Sequence, residues 1–429
     1  AQMALKDEEG AKASFEKALE IQPGRPDAAN NLASFALKEK RLDQAVQYLK
    51  DVLKIRPGHV RTILRLARIE AQRGNRDEVG KLLEKAIEAQ PDAMLPRLLL
   101  GRLRLSGGDP QRALTAIEPA LRKNQDDPGL LEVAGKAYLA THKFADAAVM
   151  FRRLVEKQPG SAEAHFLLAR AYAGTGEGRS VKDSLEAAVK ADGKNLRARI
   201  ALARLLISAR QFTDAEAHLA SLKQARPDSS ILATLEGDLK FAQGRYRDAV
   251  SAYERAAKNV SGSMLTMKLA RAHWASGEKG KSISLLQNWL AKNLKDNGLR
   301  LQLATYYRED KRLDDAKREY GTMINQMPDN WVPRNEMAWL LFKAGDIKSA
   351  LSHAKKAREL SPRNPLVMDT MALILMEQGE TSQAVGLLQL ALKSLPKNAE
   401  IGYHLAQAFL KDGSREEAHR VLAEELANK

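Results

Sequence analysis

Six basic residues stand in one register. Arg68, Arg102, Lys136, Arg170 and Arg204 follow one another at intervals of 34, and Arg271 comes 67 residues later. A guanidinium presents a planar fork that binds a carboxylate bidentately and stacks on flat groups. A ladder of such groups is chemistry for holding an anion. Apolar residues keep the same period around it. Four positions earlier stand Leu64, Leu98, Phe166, Ile200 and Met267, with Glu132 as the exception; three positions later stand Leu105, Leu139, Ile207, Phe241 and Trp274. On a helix, positions separated by four and three share one stripe. The pattern therefore predicts a basic line between two apolar rails over residues 60–275. From Thr305 onward the ladder stops and aromatic residues (Trp331, Trp339, Phe342) take its place.

Catalytic and cofactor chemistry finds no comparable support. Residues 275–282 end in Gly-Lys-Ser and fit a relaxed phosphate-loop pattern. Such a loop works by following a strand and opening a helix, so that amides surround phosphates; here the stretch reads as a turn between two helices. Gly174, Gly176 and Gly178 repeat that situation elsewhere. The eight histidines are scattered, with no pair three or four residues apart, whereas a metal site needs clustered ligands. There is no cysteine, which excludes disulfides and thiolate ligands. Asp314 and Asp315 fall on an exposed face, and the sequon at Asn259 reads as a turn between helices. No enzyme activity, cofactor or metal is expected.

The elements that carry the ladder follow from a strict repeat. Small residues occur at 33, 67, 101, 135, 169, 203, 237, 270, 304, 338, 372 and 406, usually after Leu or Met, with one interval of 33 among intervals of 34. Twelve residues after each comes a second small or short residue, from Ala45 to Ala418. Proline marks a third register at Pro23, Pro57, Pro91, Pro159, Pro227, Pro328, Pro362 and Pro396. Small residues let two helix backbones approach, Gly supplies the turn between them, and proline closes the second helix. A single helix pair cannot bury its own apolar face, so neighbouring pairs must stack. Glu236, standing where Leu is expected, and the short interval after Gly237 predict an irregular joint at the seventh unit.

These registers resemble the tetratricopeptide repeat, with its small residue in the first helix, Ala in the second and closing Pro. The resemblance covers residues 26–429 as about twelve units, the last incomplete, with a partial unit in 1–25 (Ala11, Phe15, Ala18, Pro23) whose start is truncated. It implies an all-α, right-handed superhelical solenoid whose first helices line the concave face. Ser34 then opens the ladder register, and Asp238 interrupts it. One departure is consistent. The bulky aromatic expected three residues before the Leu is replaced by Ala29, Ile63, Arg97 or His165, which predicts unusual packing between units.

The stretches 339–346, 368–379 and 403–406 are further similar to the last repeats of tetratricopeptide lipoproteins of the PEP-CTERM/exosortase system, which accompany exopolysaccharide genes. That resemblance implies a protein outside the cytoplasm, periplasmic or tethered to a membrane by a lipid anchor at an N-terminus missing here. No signal segment stands at the start, and no stretch has the roughly 20 apolar residues a membrane span needs. The net charge of +15 is spread along the chain with both signs interleaved. Together these readings predict a non-enzymatic scaffold in surface-protein sorting or exopolysaccharide export, binding an acidic protein or peptide. The alternative is a scaffold that binds anionic polysaccharide directly. Nucleic acid is the weaker partner, because stacking platforms beside the arginines are sparse.

Overall fold

The computed structural model describes residues 8–427. All regular structure among them is α-helical. After α1 (Glu8–Ile21) come twelve helix pairs, from α2 (Pro26–Lys38) with α3 (Leu42–Ile55) to α24 (Ala399–Lys411) with α25 (Arg415–Ala427). Helix α1 carries the buried Ala11 and is the second helix of the partial unit; the reading of residues 1–7 lies outside the described residues. The chain divides into two compact units, residues 1–222 and 223–429. In the first, successive buried clusters run from Ala33 to Ala116, from Leu98 to Ala134 and from Leu131 to Ala171. In the second they run from Ala233 to Ala272, from Ala270 to Leu340 and from Ala338 to Val421. Each unit therefore builds its core by stacking one helix pair on the next.

The small-residue registers do what their size demands. Ala33, Ala203, Ala270, Ala304, Ala338 and Ala372 are wholly buried, as are Ala45, Ala147, Ala249 and Ala384 in the second register. At Gly135 and Gly237 even a methyl is excluded: a Cβ would lie 2.5 Å from the Phe151 ring and 2.4 Å from the Tyr253 ring. Overfilling of that kind typically costs about 1–3 kcal/mol. Ser282 fits an alanine register because its buried hydroxyl donates to the Ala270 carbonyl at 2.8 Å.

The departure noted at the aromatic position has a structural consequence. Arg97, His165, Arg199, Arg300 and Arg334 share that register, and each turns back to the carbonyl six residues earlier, on Pro91, Pro159, Gly193, Leu294 and Pro328. Three of them also reach the second helix of their own pair: Arg97 to the Ala116 carbonyl, Arg199 to His218 and Arg300 to Glu319. Polar staples replace aromatic packing there.

The seventh unit is irregular, as its spacing predicts. Its first helix, α14 (Ser230–Ala242), is followed by α15 (Tyr246–Ala257), which has 12 residues against 14 in the next second helix, α17 (Lys279–Lys292). The chain then leaves through Asn259–Gly262 without a proline. Glu236 bonds Arg255, and the Tyr253 hydroxyl donates to Asp238 at 2.8 Å.

Candidate binding groove

The ladder in the first unit is carried by α4 (Val60–Gln72), α6 (Met94–Ser106), α8 (Pro128–Ala140), α10 (Ala162–Thr175) and α12 (Leu196–Ser208). Each of these is started by the residue eight positions before the small one. Asp127, Ser161 and Asn195 cap α8, α10 and α12 by accepting from backbone N–H groups, and His59 does so for α4. Such caps are typically worth about 1 kcal/mol. They fix where the ladder residues of those four helices stand, whereas α6 starts at Ala93 without a side-chain cap.

Arg68, Arg102, Arg170 and Arg204 are exposed, and none makes a hydrogen bond or ion pair with a described residue. Lys136 differs: it is half-buried and bonded to Glu132 of its own helix at 2.5 Å. The rung it supplies is neutralised. In the second unit Asp238 holds Lys268 at 2.6 Å through both carboxylate oxygens. Arg271 lies over the Phe241 ring, 5.5 Å from its centroid. The apolar rails are only partly available. Leu64 and Ile200 are half-buried, whereas Leu98 and Phe166 belong to the core, the latter roofed by Arg197 at 4.7 Å. Met267 and Trp274 pack on the core of the second unit. The Trp274 indole is stacked at 4.0 Å on Tyr306 and faced by Lys279 at 4.9 Å.

One stretch of this stripe opens into a cavity of about 1310 Å³ between α2, α4 and α6. Arg61, Arg65, Arg68 and Arg102 line it, together with Leu37, Leu64, Leu95, Leu99 and Leu103; no Asp or Glu does. Arg65 also donates to the Ser34 hydroxyl. Burial, and then the neighbouring charges of Arg61 and Arg68, push the Arg65 guanidinium below its usual pKa. Like charges held together this way disfavour one another's charged form. Arg61, Arg65, Leu95, Leu99 and Leu103 fall outside the ladder and rail registers. They were readable as a second signal: Arg61, Arg65 and Arg68 stand four and three apart, on one face of α4.

Elsewhere the described residues show no cluster of His, Cys, Asp or Glu able to hold a metal, and no helix long and apolar enough to cross a membrane. The stretch 275–282 runs from the end of α16 (Ser263–Ala275) through the turn at 276–278, with Gly277 at φ +88°, into the first turn of α17.

Two family models, both described as tetratricopeptide repeat, match the chain, one over residues 2–49, 36–95, 180–239, 341–394 and 375–427, the other over 133–178 and 234–297. Mouse tetratricopeptide repeat protein 21A is 22% identical over 322 residues; the match takes in 73% of this chain but only 24% of that protein. Among solved structures, a tetratricopeptide repeat protein of Parabacteroides merdae superposes with a TM-score of 0.43 at 16% identity, over 61% of this chain and 99% of that one. The Cut9–Hcn1 hetero-tetramer of the APC/C gives 0.42 at 13% identity, over 94% of both chains. Yeast Tom70 gives 0.39 at 15%, over 94% of this chain and 91% of its own. The first family model alone matches more than half of the residues, and the chain belongs to the tetratricopeptide repeat family.

Proposed function

We propose that this protein is a non-catalytic scaffold that holds an acidic, partly apolar segment of a partner protein in the groove between α2, α4 and α6. The observation that carries this reading is the lining: four arginines, seven leucines and no carboxylate around one opening. Small-molecule sites usually measure about 300–1,000 Å³, and this cavity is larger, which favours a stretch of polymer. Leucines favour a peptide over an anionic polysaccharide, whose sugars and charges give aliphatic side chains little to cover. Arg170 and Arg204 continue the stripe and would engage acidic residues farther along the same segment. The setting that the C-terminal repeats suggest is surface-protein sorting or exopolysaccharide export outside the cytoplasm, and the scaffold's partner would then be a component of that machinery.

The test is a titration of the purified chain with a heptapeptide alternating glutamate and leucine, with polyglutamate and alginate as competitors. Micromolar binding of the peptide is expected, with loss of at least tenfold in Arg68→Glu/Arg102→Glu and steep weakening with salt. Equal affinity in that variant sinks the groove. Alginate binding tighter than peptide replaces the reading with direct glycan recognition.

A further inference from the structure

Two successive turns of the second unit break the proline register. Ten residues before the small residue most turns between helix pairs hold proline, but Val260 and Leu294 stand there one after the other. That register faces solvent, since Pro57, Pro328, Pro362 and Pro396 are all exposed. Neither substituted side chain therefore has a core to fill. Val260 is 49% exposed, Leu294 64%, and Met264, in the first turn of α16, 71%. The two turns are joined. The Ser263 hydroxyl and Trp289 Nε1–H both donate to Asp296, the latter at 2.8 Å, and Ser263, Trp289 and Leu294 line one shallow cleft. Lys258, Lys292 and Lys295 stand in or beside the same turns, exposed and without an ion pair to any described residue. The one carboxylate in these turns, Asp296, is already committed, because it also caps α18 (Asn297–Glu309).

We infer that this edge of the second unit rests on an anionic bilayer surface. Val260, Met264 and Leu294 enter the boundary between headgroups and acyl chains, and the three lysines meet lipid phosphates. The inference does not depend on the groove, which lies in the first unit. A protein partner fits these turns poorly. Stable protein interfaces bury about 800 Å² on each side and are depleted in lysine, whereas here three apolar side chains stand at turns among lysines. A fluid interface closes around separate side chains and needs no matching surface. Lysine suits it, with the stem in carbon and the ammonium at the phosphates. Anionic lipid attracts such clustered cations over about a Debye length.

The chain has no cysteine, so an environment-sensitive fluorophore on Ser261→Cys reports this edge alone. The probe is vesicles of phosphatidylglycerol and phosphatidylcholine in equal parts. The label is expected to shift to the blue with these vesicles and not with phosphatidylcholine alone. The same label on Glu309→Cys, at the other end of α18, should stay unchanged. Lys292→Gln/Lys295→Gln should weaken vesicle binding at least tenfold, at about fivefold per lysine, and Met264→Ser/Leu294→Ser should also weaken it. Arg68→Glu/Arg102→Glu should bind within about threefold of the parent, since exposed charges beyond a Debye length are screened. Absence of vesicle binding overturns the inference, as does binding that leaves the Ser261→Cys label silent. Binding lost in the arginine variant but kept in the lysine variant overturns it too, and moves anionic lipid to the groove. If vesicles do not bind and a dimer seen by sedimentation velocity is lost in Met264→Ser/Leu294→Ser, the turns are instead a contact between copies of the chain.

Discussion

At the scale of single residues, the chain spends its arginines in two ways that look alike in sequence. Arg68 and Arg102 stand in the groove with no partner, whereas Arg300, in the staple register, is 7% exposed and committed. It donates to Glu319 at 2.5 Å and to the Leu294 carbonyl at 2.9 Å. Removing one member of a buried pair strands the other, at a cost of about 3–5 kcal/mol. Arg300→Ala should therefore lower the unfolding free energy by about 3 kcal/mol. Arg104→Ala, which breaks the more exposed pair with Glu84, should change it by about 0.5 kcal/mol or less. All four tryptophans (274, 289, 331 and 339) lie in the second unit. Urea denaturation followed by tryptophan fluorescence thus reads Arg300 directly, while the Arg104 variant is followed by circular dichroism. Equal effects of the two substitutions would contradict the assigned roles.

At the scale of the elements, the turn inside each helix pair is more uniform than the residues in it suggest. The residue seven after the small one has positive φ in all twelve pairs: eight are glycine, and Lys40, His142, Arg210 and Lys311 adopt φ of 57–62°. A side chain in that conformation is strained by about 1–2 kcal/mol, a cost glycine escapes at the expense of some unfolded-state entropy. Lys40→Gly, His142→Gly and Lys311→Gly should each stabilise by about 0.5–1 kcal/mol, raising the urea midpoint. Gly74→Ala should cost about 1 kcal/mol in the opposite direction. A fall in midpoint for the three glycine variants would refute the strain. Here the sequence was partly legible. Glycine announced the turn wherever it stood, but the four other residues carry no such signal, and their backbone conformation is imposed by the helices on either side. The caps behave similarly. Asp127, Ser161, Asn195, Ser229, Asp296, Asn330, Asn364 and Asn398 all accept from the first turn of the helix that follows. They form a fourth register, masked in sequence by the variety of side chains that serve it.

At the scale of the whole molecule, the fold was legible because a stacked repeat states the same size constraint twelve times, and a period survives any one exception. The groove was legible only in outline. The ladder register finds Arg68 and Arg102, but Lys136 is cancelled by Glu132 and Leu98 sinks into the core, since pairing and burial depend on rotamers and not on spacing. The same reasoning applies to the joint after the seventh unit. Stability in a stacked repeat is nearly a sum of nearest-neighbour interfaces, so a unit with a poorer interface opens first. Helix α15 is two residues shorter than α17, and the chain after it holds Val260 at 49% exposure. Helix α22 (Pro365–Glu377) buries nine of its 13 residues. Native-state hydrogen exchange should therefore show the last turn of α15 opening at a free energy at least about 2.8 kcal/mol below that of α22, roughly a hundredfold in protection. Exchange at equal free energies in the two helices would mean that the missing residue of the seventh unit is absorbed without cost, and that the second unit opens as one block.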